Sequence, residues 1–473
     1  MAIKLSNKDY IWSCAGTVMS LGSKGILFLI VLFFLDNEMY GLWAVFQSLT
    51  AIAVVFDFGF STTFGRNINY CWNGAVKLVK TKAVFSQNDE PNFVLMKRTM
   101  TACKIVFFVL SLIAFVGLAI PGTMYILHIS SDLPQQEVLI AWSLFALATF
   151  LNLYYNYYRS FMNGVGAISA VNRVLVFSNS AWMFLTLLFL FLGFGIIGTG
   201  FAYLLYSIIF RLLSRWEFYR YKEIGLHLKE VEHKASRQEI WDLFKAVWHN
   251  ASREGLVTLA NYLTNQACVI IAPLYMSLTL TGMYSLAMNV AIVIAQIALV
   301  FYSANQPVLQ AAYVMNNPSK TKETMALIVV SFLTIFFIEL VIIIAAGLPI
   351  LNLIRPEVTP SVLIMLTAAT YQFLLSYRNI FTSYFSCTNR IPYAWSFIGT
   401  SLATVGVAVL FLQVFHLGIW GLLLGQIVCQ IAFNVWYWPL KAHQEMHVSI
   451  RYILTEGLFR LKELACSFIK TKA

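Results

Sequence analysis

The chain has 473 residues, of which 59% are hydrophobic and only 11% charged. Soluble domains carry roughly a quarter charged residues, so this composition excludes an ordinary soluble protein and points to a polytopic membrane protein. The net charge of +11 does not indicate nucleic-acid binding. Of the 32 Lys and Arg residues, 29 gather in alternate connections between apolar runs, the bias that sets both chain ends and those connections in the cytoplasm.

Met1 to Tyr10 is short and polar. The run at 11–35 is too long for a signal peptide and has no small-residue cleavage site, so an uncleaved first span is expected. It carries Lys24 near its middle, and the second run, 40–62, carries Asp57 and is followed by Arg66. A charge at mid-bilayer depth costs about 2.5–3.5 kcal/mol on insertion scales, so it faces either a partner or a watery cavity. Lys24 and Asp57 therefore either pair with each other or line a polar pathway. Asp36 and Glu38 occupy the tight outer turn between these spans.

The basic segment 70–100, with Lys77, Lys80, Lys82, Lys97 and Arg98, reads as a cytoplasmic loop touching headgroups. Span three runs 103–127. Span four, 138–161, ends in Asn152-Leu-Tyr-Tyr-Asn-Tyr-Tyr-Arg159. On a helix Asn152, Tyr155, Asn156 and Arg159 share a face. Amides, a phenol and a guanidinium suit a sugar and a phosphate, while tyrosines also suit the interfacial belt of any membrane protein. Span five follows Asn172-Arg173 and span six covers 196–213. The stretch 215–250 mixes Lys and Arg with six acids, as in a solvated cytoplasmic linker, and it divides the chain into six spans and six spans.

In the second half, spans seven (253–277) and eight (281–306) precede span nine (323–347), which holds Glu339, and span ten, which holds Arg378. Spans eleven (394–415) and twelve (418–440) carry no Lys, Arg, Asp or Glu. The tail 449–470 has apolar residues at helical spacing with Arg451, Arg460 and Lys462 between them, as in an amphipathic helix on the inner surface. The halves repeat in parallel: Met39-Tyr-Gly-Leu42 is echoed by Met283-Tyr-Ser-Leu286, and Tyr158-Arg159-Ser160 by Tyr377-Arg378-Asn379. The expectation is an all-α polytopic membrane protein of about 12 transmembrane helices in two six-helix bundles. The bundles are expected at 1–217 and 253–440, with a linker at 218–252 and an amphipathic tail at 441–473.

No Walker loop, dinucleotide fingerprint or metal-spaced His and Cys set is present, and the seven cysteines show no disulfide or metal framework. Outer-face groups such as His128, Asp132 and Glu357 form no catalytic set, so no enzymatic activity, cofactor or metal is expected. What remains are ionisable residues in or beside the spans. Lys24, Arg66, Arg159, Arg253 and Arg378, with the polar set Asn152, Tyr155 and Asn156, suit an anionic solute, because guanidinium groups match phosphate oxygens in a forked geometry. Asp57, Glu254 and Glu339 are the candidate sites for a coupling proton or sodium ion. Arg66, Arg159 and Arg253 also fit the plain role of ending their helices at the cytoplasmic surface.

Three stretches carry a family resemblance: Met39-Tyr-Gly-Leu-Trp43, Asp57-Phe-Gly-Phe-Ser-Thr-Thr-Phe-Gly-Arg66 and Asn163-Gly-Val-Gly-Ala-Ile-Ser-Ala-Val-Asn172. With the six-plus-six layout, the chain resembles a polysaccharide flippase of the multidrug/oligosaccharidyl-lipid/polysaccharide exporter superfamily. The resemblance implies a V-shaped transporter that moves an undecaprenyl-pyrophosphate-linked oligosaccharide, an O-antigen or capsule repeat unit, across the bacterial cytoplasmic membrane by ion-coupled alternating access. Its partners would be that glycan, membrane lipids and the polysaccharide polymerase and chain-length proteins, with the transporter itself monomeric. Lys24 resembles the basic residue such proteins place in span one, and Asp57 with Arg66 matches the span-two motif. The second half lacks an acid and an arginine where these would repeat. A multidrug or cation antiporter of the same fold is the alternative within transport, and an integral-membrane glycan-modifying enzyme the alternative outside it.

Overall fold

The computed structural model describes residues 7–78, 83–85, 90–231, 237–314, 317–387 and 392–470. The side chains of a few residues within those stretches, Lys24, Arg253 and Glu254 among them, lie outside the description. The chain divides into two compact units, Met1–Tyr262 and Leu263–Ala473.

In the first unit the elements are α1 (Asn7–Phe34), α2 (Asn37–Thr50), α3 (Ile52–Asp57), α4 (Phe60–Trp72), the strands β1 (Ala75–Leu78) and β2 (Ala83–Phe85), α5 (Phe93–Gly117), α6 (Thr123–Ile129), α7 (Gln135–Tyr155), α8 (Tyr157–Gly164), α9 (Ile168–Phe191), α10 (Gly195–Arg220), α11 (Ile224–Glu230) and most of α12 (Arg237–Ile271). The second unit completes α12 and adds α13 (Leu278–Ala298), α14 (Val300–Val314), α15 (Pro318–Ile342), α16 (Leu348–Ile354), α17 (Val362–Cys387), α18 (Ala394–Gln413), α19 (Ile419–Ala432), α20 (Asn434–Met446) and α21 (Ile450–Lys470). Among the described residues, 11 helical stretches are long and apolar enough to cross a membrane. The 26-residue α17, which carries Arg378, lies at the place expected for span ten.

The internal repeat is visible in local structure. Asp36 Oδ1 accepts the Met39 N–H and caps α2, and Ser277 Oγ accepts the Leu280 N–H and caps α13. Tyr40 and Tyr284, one residue into each echoed motif, are both fully buried. Asn92 caps α5 through the Leu95 N–H, and Asn317 caps α15 through that of Lys320. Both of these helices then widen into a single π turn, at Leu118–Gly122 and Ile343–Gly347, before continuing as α6 and α16. Pro121 lies inside the first and Pro349 just after the second, each removing a backbone donor from the regular ladder.

Several connections are more ordered than their polarity suggests. The segment after span two carries an antiparallel hairpin, with Ala75 opposite Phe85 and Leu78 opposite Ala83, the one strand pair among the described residues. Lys80 and Lys82 lie outside those residues. The polar stretch between the halves is helical on both sides of residues 232–236, as α11 and α12, and α12 runs unbroken into span seven. The division between the two compact units falls within α12, after Tyr262. In the tail, α21 forms the expected amphipathic helix and seats Gly457 directly on the Ala326 carbonyl of α15. Arg460 bridges from it to Glu323 of α15 at 2.9 Å and is held within α21 by Glu456 at 2.8 Å.

Candidate functional site

Span two ends in a break. At Phe58 and Gly59 the backbone enters the left-handed region, with φ of 46° and 71°, so α3 stops at Asp57 and α4 starts afresh at Phe60. Glycine adopts that conformation freely, whereas phenylalanine is strained there, so Phe58 must be held by its surroundings. Span four is also interrupted, at Asn156 between α7 and α8. Half-helices in a membrane expose backbone groups and dipole ends that regular helices satisfy internally, and such breaks mark binding sites in transporter folds.

The two breaks are joined by side chains. Asn156 Nδ2 donates to Ser61 Oγ at 2.9 Å, and Ser61 Oγ donates to Asp57 Oδ1 at 2.5 Å. The Ser61 backbone N–H also points at this carboxylate, so Asp57 acts as an acceptor over the first turn of α4, where the positive end of that half-helix favours it. Arg159, exposed on the first turn of α8, is close enough to act on the Asp57 charge. The Arg211 guanidinium of α10 sits 4.2 Å above the Tyr155 ring, one residue before the break. Asn152 is one turn further back, its Oδ1 buried without a hydrogen-bond partner among the described residues.

Close backbone packing fixes the halves below these breaks. A Cβ on Gly164 would stand 2.6 Å from the Gly65 carbonyl, and Asn69 Nδ2 donates to the Gly164 carbonyl at 2.9 Å. Gly65 closes the small-residue run of the Asp57–Arg66 stretch and Gly164 opens that of the Asn163–Asn172 stretch, and their presence lets α4 and α8 touch. Phe60, Phe64, Phe107, Tyr158, Phe161 and Phe218 then form one buried cluster across α4, α5, α8 and α10. From the other side, α12 lays Phe244 and Trp248 against Phe60, with ring centroids 6.1 and 6.0 Å away. Trp248 also stacks on Phe58 at 6.3 Å, and Gly255 lies against the same ring, so the strained residue of the break is clasped by α12.

The structure thus gathers Asp57, Asn152, Tyr155, Asn156 and Arg159 in one region of the first unit. Arg66 stands apart, exposed two turns into α4. The tyrosine run divides by function of place: Tyr157 and Tyr158 are buried and pack on Phe161, while Tyr155 borders the polar set. In the second unit Glu339 is half-buried on α15, and its Oε2 accepts no hydrogen bond among the described residues. Arg378 is fully buried, donates from Nη1 to Gln430 Oε1 at 2.6 Å and lies 3.8 Å above the Phe397 ring. Of the remaining candidates, Lys24 lies on α1 and Arg253 and Glu254 on α12, with side chains outside the described ones.

Two members of the site escaped the sequence. Ser61 carries a signal, since it follows Asp57 by four residues in a run already singled out. Arg211 carries none, because its meeting with Tyr155 depends on how α10 crosses α7.

The fold and this site define a polytopic helical membrane protein whose spans are interrupted around buried polar groups. No family model and no curated relative matches the chain. Its fold is that of solved transporters of the MOP superfamily. One is an inward-facing multidrug resistance MATE family transporter, with a TM-score of 0.61 at 15% identity over 94% of this chain and 96% of that one. Another is a MATE protein in the straight conformation, with a TM-score of 0.56 at 15% identity over 93% of this chain and 97% of that one. A third is a MOP superfamily transporter from Pyrococcus furiosus, described as having a binding pocket of reverse polarity that suggests a different function. It has a TM-score of 0.56 at 15% identity over 93% of this chain and 96% of that one.

Proposed function

We propose that the protein is a flippase that moves an undecaprenyl-pyrophosphate-linked oligosaccharide across the bacterial cytoplasmic membrane, with both termini cytoplasmic, by alternating access coupled to a proton or sodium gradient. The observation that carries this reading is the constellation at the two breaks of the first unit. Arg159 and Arg211 supply cations beside amide and phenol groups, and Asp57 supplies a single carboxylate held by Ser61. Forked guanidinium donors suit pyrophosphate, and neighbouring amides suit sugar hydroxyls. In this reading Lys24, Arg66 and Arg253 extend the cationic lining, Asp57 with Glu254 and Glu339 takes up the coupling ion, and no step involves enzymatic chemistry.

A second reading has support of its own. Solved structures of the same fold are described as a multidrug resistance MATE family transporter, and a carboxylate at a helix break can equally serve a cation antiporter. The Pyrococcus furiosus protein, described with a pocket of reverse polarity, is a precedent for one fold carrying cargoes of opposite charge.

Reconstitution of the purified chain in liposomes carrying an undecaprenyl-pyrophosphate-linked glycan separates the two. The flippase reading expects glycan exposed on the opposite leaflet, increasing with an imposed ion gradient and lost in Arg159→Ala and Lys24→Ala. Gradient-driven efflux of organic cations without glycan movement would instead establish the antiporter.

A further inference from the structure

A second polar site lies away from the broken spans, where α10 ends. Arg173 of α9, Trp216, Glu217 and Arg220 of α10, and Tyr221 and Lys222 beyond it line a cavity of about 540 Å³. Three cations face one carboxylate here. Arg173 engages that carboxylate in a forked pair, Nε to Oε1 and Nη2 to Oε2, both at 2.7 Å. Its charge is thereby answered. Arg220 and Lys222 have no carboxylate within ion-pair distance among the described residues, and both rest on aromatic faces instead. The Arg220 guanidinium lies 4.9 Å from the Trp216 ring, and Lys222 Nζ lies 5.5 Å from Trp72 and 5.7 Å from Tyr221.

The backbone builds this arrangement. Lys222 and Glu223 are consecutive non-glycine residues in the left-handed region, with φ of 46° and 58°, so the chain turns sharply after Arg220 and carries Tyr221 and Lys222 across the end of α10. Such residues persist only where the surroundings fix them.

The occupant is indicated by what leads to the cavity. On α10, Ile208, Leu212 and Trp216 recur every four residues and are 37%, 56% and 53% exposed, an apolar track that ends at the cations. On α9, Phe177 stands one turn above Arg173 and is 54% exposed. Free phosphate has no use for such a track, whereas an acyl chain does. Tryptophan and tyrosine at the mouth belong at headgroup level, and basic pockets between spanning helices hold anionic headgroups.

We propose that this pocket binds the phosphate-bearing headgroup of an anionic membrane phospholipid, with Arg220 and Lys222 as its cationic contacts and an acyl chain along Ile208 and Leu212. Glu217 keeps Arg173 aligned and excludes a second anion from the inner wall.

The test is thermal unfolding of the full chain in detergent supplemented with phosphatidylglycerol, phosphatidylcholine or inorganic phosphate, with retained lipid read by native mass spectrometry. Phosphatidylglycerol should raise the midpoint by about 3 °C, the size expected for a ligand that binds only the folded state, while phosphatidylcholine and phosphate leave it within about 1 °C. Arg220→Ala with Lys222→Ala should remove most of the shift and the retained lipid, and Lys222→Arg should keep both. An equal shift from phosphate alone would make this a free-anion site and overturn the lipid assignment. An undiminished shift in the double variant, or an equal one from phosphatidylcholine, would overturn the pocket.

Discussion

Arg159 and Arg378 occupy the same place in the two halves of the chain, each following a tyrosine in an echoed tripeptide, and they live in opposite surroundings. Arg159 lies just past the break at Asn156, exposed, within electrostatic reach of Asp57. Arg378 lies in the unbroken α17, is 2% exposed, and is satisfied by Gln430 and the Phe397 ring, with no carboxylate partner among the described residues. An interrupted helix backed by small residues leaves a charge available to a ligand. A continuous helix packed on its neighbours consumes the same charge internally. Repeat position therefore fixes where an arginine sits along its span, and the packing around it decides what the arginine is for.

That contrast can be broken most decisively at Arg378. Arg378→Met should strand Gln430 and lower stability by about 3 kcal/mol, the upper end for leaving a buried polar group without its partner, measured by chemical unfolding in detergent. A stable, fully folded variant would show that the buried arginine is not structural. Next in size, Gly164→Val drives a side chain into the Gly65 carbonyl and should cost about 2 kcal/mol by the same measurement, with the loss of any activity that needs the α4–α8 contact. Trp248→Ala removes the ring stacked on Phe58 and Phe60 and should cost about 1 kcal/mol. If the break at Phe58 is held by α12, it should also raise amide exchange around residues 57–60, and unchanged exchange there would count against the clasp.

Arg159→Ala is expected to move stability by less than about 0.5 kcal/mol, as for an exposed position, while reducing glycan movement in liposomes at least tenfold. Wild-type transport in that variant would make Arg159 a helix end and no more. The smallest change is expected at Cys71, at the foot of the α4–α8 core. Burial pushes its thiol up to about 12, so at pH 8 it stays protonated and unlabelled by a thiolate-directed reagent, whereas exposed Cys466 labels. The folded thiol is neutral throughout the accessible range, and labelling rises only as pH nears 12 or the core opens. Rapid labelling at pH 8, read by peptide mass spectrometry, would mean that the core beneath the candidate site is open.

The membrane class, the placement of the long helices and their parallel repeat are legible in the residues alone, because hydropathy and capping residues act locally. Runs of about 20 apolar residues must span as helices, and Asp36, Asn92, Ser277 and Asn317 start theirs through bonds three residues ahead. The sequence also marked Asp57, Asn156 and Arg159, since polar groups in an apolar run are conspicuous. That Ser61 ties Asp57 to Asn156, that Arg211 covers Tyr155, and that Arg378 is spent on Gln430 and Phe397 follows from how the helices pack. Each of these depends on which faces of two distant helices meet, and that choice is set by small residues such as Gly65 and Gly164 and by the aromatic core around them. A one-dimensional pattern shows that such residues are present and leaves open what they face, because close packing is a property of pairs of surfaces.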